Sequence, residues 1–145
     1  MPISHNYNDN IMILLGKSAQ DNHDLINSSH PHALWIHMDN TSSGHVVIQP
    51  FDDNHETFQF LNDSFSNLRN NNQNDLIITA AKICFLGLPK SKQNKFISNN
   101  QANFRITITK IKNLITTENI GEVEFKNTKA KHLMFIPIML SLSEK

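Results

Sequence analysis

Apolar and polar positions change rhythm several times along this chain, and each change marks an element. Ile11 to Leu15 is a short apolar run that Gly16 ends, which predicts a strand. Ser18 to Asn27 predicts a short helix. Ser18 is a capping residue, Asp21 stands three places on, and Leu25 and Ile26 supply the apolar side that anchors the helix to a sheet. Ser28 to His32 is a loop broken by Pro31. A period of two then sets in: Leu34 and Ile36 alternate with Trp35 and His37, and Val46 and Ile48 alternate with His45, Val47 and Gln49. These are two strands joined by a polar loop and closed by Pro50.

Between Phe51 and Asn74, Phe58, Leu61, Phe65 and Leu68 recur at three- and four-residue spacing, the mark of an amphipathic helix. A polar loop near residues 69–75 separates it from a third helix, Leu76 to Leu88, capped by Asp75 and stopped by Pro89. Apolar residues surround most of that helix, so it is expected to be the central, most buried one. Lys90 to Asn103 is polar and basic, with Phe96 and Ile97 embedded. Phe104 to Thr109 alternates strictly and is β-branched, a strand. Leu114 to Asn119 connects it to C-terminal strands within 122–140, Glu122 to Phe125 and Lys131 to Leu140, with Pro137 at an edge or bulge. This order predicts an α+β fold over residues 1–145: a single domain with a mixed, mainly antiparallel sheet and two or three helices packed on one face.

The 145 residues suffice for one buried core. Thirteen Lys and Arg balance thirteen Asp and Glu. That neutrality argues against a surface that binds nucleic acid everywhere, and leaves room for a local stripe. Lys82, Lys90, Lys92, Lys95, Arg105, Lys110 and Lys112 fall in one half of the sequence. The one cysteine, Cys84, has apolar neighbours and reads as a buried, inert thiol; the reducing compartment this fits is the cytoplasm. No basic-then-apolar pattern opens the chain, so no secretory signal is expected. No apolar run approaches the roughly 20 residues of a membrane helix.

The candidate chemistry gathers at the paired strands. If they are neighbours, Trp35, His37 and His45 converge beside the loop hydroxyls Thr41, Ser42 and Ser43. Two readings of that corner stand side by side. In one, the histidines bond backbone groups and Trp35 is core. In the other, the histidines donate to a phosphate or base and Trp35 offers a stacking face. Lys17 follows Gly16 at a strand-to-helix turn, where helix amides favour an anion. Eight histidines raise the question of a metal, but no zinc-type spacing occurs, and no metal or cofactor is expected. His23, His30, His32 and His55 read as exposed polar residues.

Gly16-Lys17, then Asn22 with Leu25 on a helix, then Trp35 and His37, then Ser43, His45 and Val46 together resemble the NFACT-R family. Thr107 to Lys110 and Gly121 to Phe125 add a fainter likeness. Ala33 stands where the family usually has an acidic residue, and Asn113 to Thr116 lack its basic character. The resemblance implies an RNA-binding module that contacts structured RNA, tRNA or rRNA, in translation or ribosome quality control, with a ribosome or protein partner possible. It implies Lys17, Trp35, His37, Ser43 and His45 as contacts, with Lys90, Lys92 and Lys110 on phosphates. Two alternatives compete: a protein-interaction module that has lost RNA binding, and a ribonuclease using His37 and His45 as acid and base. No nucleophile triad is visible, and the expectation is that the chain is not an enzyme.

Overall fold

Strand alternation sorts the side chains of one antiparallel sheet into two faces, and the helices divide unequally between them. The computed structural model describes residues 2–39, 41–51, 55–66, 75–99, 102–127, 129 and 131–138. Its elements are β1 (Ile3–Asn6), β2 (Ile11–Leu15), α1 (Ala19–Ser28), β3 (Leu34–Met38), β4 (Val46–Pro50), α2 (His55–Ser66), α3 (Asp75–Leu86), α4 (Lys90–Ser98), β5 (Asn103–Lys110), β6 (Leu114–Thr116), β7 (Val123–Phe125) and β8 (His132–Pro137). Six strands form one sheet in the order β1-β2-β4-β3-β5-β8, and β6 and β7 form a second small sheet. Every pairing between these neighbours is antiparallel.

One face carries Ile13, Leu34, Ile36, Ile48, Phe104, Ile106 and Ile108. They pack with Leu61 of α2 and with Leu76, Ile77, Ala80, Ala81, Cys84 and Phe85 of α3. Phe96 of α4 closes on the same core, its ring 5.6 Å from that of Phe85. Three helices thus share a face, as the alternation predicts. The fourth, α1, lies on the other face, where Leu25 and Ile26 pack with Trp35, Val47, Ile111 and Leu114.

Ser18 caps α1 as expected: its Oγ accepts from the Asp21 amide at 3.1 Å. Asp21 returns a bond to the Lys17 amide at 3.0 Å, one residue before the cap. That bond is the first cause holding the Asp21 carboxyl below its ordinary pKa.

The sequence pattern misses three elements. β1 has four exposed residues and joins only through backbone pairing at the sheet edge, so it leaves no apolar signature. α4 forms within the basic stretch after Pro89, where only Phe96 packs on the core and only Gln93 is fully buried. Gln93 Nε2 donates to the Leu86 and Leu88 carbonyls, closing the end of α3 two residues before the expected Leu88. β6 occupies part of the expected connection. Pro137 sits on β8, an edge strand that tolerates its missing donor. Three of the histidines expected to be exposed are half-buried: His23 bonds Asn27 at 2.9 Å, and His30, next to His32, lies tilted against the Phe58 ring at 4.2 Å. The His55 and Phe65 side chains, Leu68, residues 69–74 of the expected loop and residues 139–140 of the last expected strand lie outside the described residues.

Candidate functional site

β3 and β4 pair with Trp35 opposite Val47 and Ile36 opposite Val46. One further step in that register brings His37 to His45, and their ring centroids stand 5.0 Å apart, edge to face. Trp35 lies parallel to His37 at 5.7 Å and edge-on to His45 at 5.4 Å. The three rings therefore meet on the face opposite the helix core.

A backbone crossing sets His45. Its amide donates to Asn22 Oδ1 at 3.0 Å, and its carbonyl accepts from the Gly16 amide at 2.9 Å. A Cβ on Gly44 would collide with the Gly16 carbonyl oxygen, and one on Gly16 would collide with the Asn22 side chain. Gly16, Asn22 and Gly44 are thus one device: two glycines let the chains touch, and the amide of α1 fastens the second strand. Ser43 is tied into the loop. Its Oγ accepts from the Met38 amide at 3.1 Å and donates to the Gly44 carbonyl at 3.2 Å. Cys84 donates to that carbonyl from the other side at 3.6 Å, and burial pushes its thiol up to about 11. Lys92 caps the loop from α4, its Nζ 3.1 Å from the Ser42 carbonyl.

A cavity of about 570 Å³ opens over this corner. Its lining joins Asn22, Trp35, His37, Asp39, Thr41, Ser42, Ser43, His45 and Thr107 to Gly121, Glu122, Val123, Phe125 and Lys131. Gly121 turns the chain at φ 88° against Ala19, a conformation that costs other residues about 1–2 kcal/mol. That turn carries β7 over the rings and sets Phe125 5.8 Å from Trp35. Asp39 is held by Arg105 in an ion pair, by Lys131 at 3.8 Å and by the Thr107 hydroxyl at 3.4 Å.

Burial governs the charge states. His45 is 4% exposed, and desolvation drops its pKa to about 3. His37 is lowered as well, first by burial, with the backbone of Met38 and Ser43 opposing. The imidazole pair is uncharged at neutral pH and cannot supply a general acid there. Trp35 is 2% exposed, so its ring offers no open stacking face, a correction to the reading in which a base stacks on it. The reading in which Trp35 is core holds for its ring, which packs with Leu25, Ile26 and Val47, although Trp35 Nε1 and His45 Nδ1 are both buried without a partner.

The candidate contacts divide accordingly. Trp35 and His45 form the floor, His37 and Ser43 the half-buried wall. Lys17 lines an adjoining hollow of about 340 Å³ that shares Asn22, Ser42 and Ser43 with the cavity. Lys92 borders the same loop, and Lys90 opens α4 nearby in sequence. Lys110 does not join them. It pairs with Leu34 in register, on the helix face, while Arg105 alternates to the site face, so the basic residues of that half form no single stripe. Pattern reading missed Asn22, Thr107, Glu122, Phe125 and Lys131 as lining residues. Thr107 had a signal, since it alternates with Ile106 and Ile108. The β7 residues had none, because a turn far along the chain delivers them. Among the described residues no group of three His, Cys, Asp or Glu side chains is arranged to hold a metal. No helix is long and apolar enough to cross a membrane, among the described residues.

No curated protein matches the chain. Among solved structures, the C-terminal part of the fibronectin/fibrinogen-binding protein from Streptococcus suis is similar, with a TM-score of 0.58 and 15% identity over 92% of this chain. That likeness concerns the fold, and the chain spans only 47% of the solved one. The model of the NFACT protein RNA binding domain matches residues 1–127. The glycine crossing, the capped α1 and the paired ring-bearing strands all fall within that span, and the chain belongs to the NFACT RNA-binding domain family.

Proposed function

We propose that this domain binds structured RNA, transfer or ribosomal, in the cytoplasm, in a translation or ribosome-quality-control setting, and that it is not an enzyme. The family assignment carries the reading: an RNA-binding domain model spans 127 residues of the chain. Local geometry supports it. A walled cavity rich in hydroxyls and rings is flanked by Lys17 and Lys92 and rimmed by Lys131. Zero net charge then implies that affinity comes from this locality rather than from the whole surface. The neutral imidazole pair argues against the ribonuclease alternative.

Filter binding with transfer RNA is the test. Binding at low salt that weakens steeply as salt rises is expected. No binding at low salt overturns the reading. One observation favours a second reading, docking to a protein: Leu133 and Phe135, 49% and 67% exposed, sit on the outer strand β8. A nuclease-resistant protein complex, together with absent transfer-RNA affinity, would favour it.

A further inference from the structure

We propose that the cavity between the β3–β4 loop and β7 receives one unpaired nucleobase rather than a phosphate, with the backbone phosphates kept outside near Lys17 and Lys92. This rests on the RNA-binding reading and names what occupies its site.

Charge is the first argument. Two carboxylates, Asp39 and Glu122, line the cavity against a single ammonium, Lys131. Asp39 already holds Arg105 and Lys131, so both cations are committed to a carboxylate. The histidines add no positive charge at neutral pH. A phosphate entering here would be repelled by Glu122 and would find Lys131 already paired with Asp39. A neutral base would not be repelled, and the exocyclic amino group of adenine, cytosine or guanine suits a carboxylate acceptor.

Shape and polarity are the second argument. The volume of about 570 Å³ lies within the range of small-ligand pockets. Phe125 and Val123 give apolar wall, while His37, Thr41, Ser42 and Thr107 bring donors and acceptors to the same lining. Unpaired bases are held in this way, by flat apolar contact and hydrogen bonds to their edges. The floor supplies an independent sign. Trp35 Nε1 and His45 Nδ1 are buried polar atoms with no partner, in two residues that line the cavity. Buried polar atoms rarely stay unpaired, so the floor beneath the cavity carries an unmet hydrogen-bonding cost that a small rearrangement around an occupant would relieve.

Trp35 is the chain's one tryptophan, so its emission reports the cavity directly. The probes are short single-stranded homopolymers of each base, an abasic oligomer with the same ribose-phosphate backbone, and inorganic phosphate. We expect at least one base-bearing oligomer to shift Trp35 emission, with affinity about tenfold above that of the abasic oligomer. Val123→Phe should fill the cavity and abolish the shift. Glu122→Ala, at an exposed position, should weaken it and covers the case in which Val123→Phe unfolds. An equal shift from the abasic oligomer or from inorganic phosphate overturns the proposal in favour of a phosphate site. Transfer RNA that binds while every base-bearing oligomer leaves Trp35 unchanged overturns it alone, leaving RNA binding intact. No binding of any RNA removes both.

Discussion

The two faces of the central sheet are built from the same strands and solve opposite problems. The helix face is dry and repetitive: Ile36, Ile106, Ile108 and Phe104 meet α3 with the Phe85 ring 4.7 Å from that of Phe104. The other face starts the same way, with Val47 and Trp35 under α1. It then turns polar at His37, His45 and Thr107, where the small β6–β7 sheet covers it only in part. An apolar face that is fully covered yields stability. A face whose cover stops short, over groups that still need partners, yields a binding cavity.

Truncating one aromatic on each face should expose this difference most strongly. Phe104 is 1% exposed and packed on all sides, so Phe104→Ala should cost roughly 3–5 kcal/mol. Phe125 is half-buried at the cavity wall, so Phe125→Ala should cost about 1 kcal/mol while disturbing the Trp35 environment. Urea unfolding followed by far-UV circular dichroism measures both. Equal losses would mean that the two faces contribute alike and that β7 is part of the core.

Acid should separate the faces next. His45 is neutral in the folded protein down to about pH 3, whereas the unfolded chain takes up a proton near 6.5. Its contribution is complete above that value and is lost as pH falls toward 3, because the unfolded state binds the extra proton. Between pH 7 and pH 5 this amounts to about 2 kcal/mol. His37 and His32, also lowered mainly by burial, act in the same direction. Among the described residues, the titratable side chains at the helix-face cluster are Cys84 within it and Tyr7 packed against it, both raised by burial and protonated throughout that range. His45→Asn should flatten the slope of stability against pH. An unchanged slope in that variant would locate the acid sensitivity elsewhere.

The same contrast explains what could be read from the chain. The helix face was legible because Leu34, Ile36, Ile106 and Ile108 repeat a period that only a buried strand face requires. The ring cluster was legible because His37 and His45 flank a single loop, so local pairing suffices to join them. Its degree of burial was not legible, since part of the cover on Trp35 comes from Leu114 and Phe125, eighty or ninety residues away in sequence. The position of Lys110 was lost for a related reason: composition groups it with Arg105, and strand alternation separates them. β1 and α4 left faint patterns because edge pairing and a nearly all-polar helix leave few apolar residues to repeat.

The smallest expected effect concerns single lysines, and it sharpens the comparison because stability barely enters. Lys131 lies 3.8 Å from Asp39 at an exposed position, and Asp39 keeps its Arg105 partner without it. Lys131→Ala should therefore change stability by less than about 1 kcal/mol. If RNA phosphates pass the cavity rim, the slope of log affinity against log salt should fall by about 1 in this variant. Lys110→Ala, on the helix face, should leave that slope unchanged. A fall for Lys110 with none for Lys131 would move the RNA path to the opposite face of the sheet.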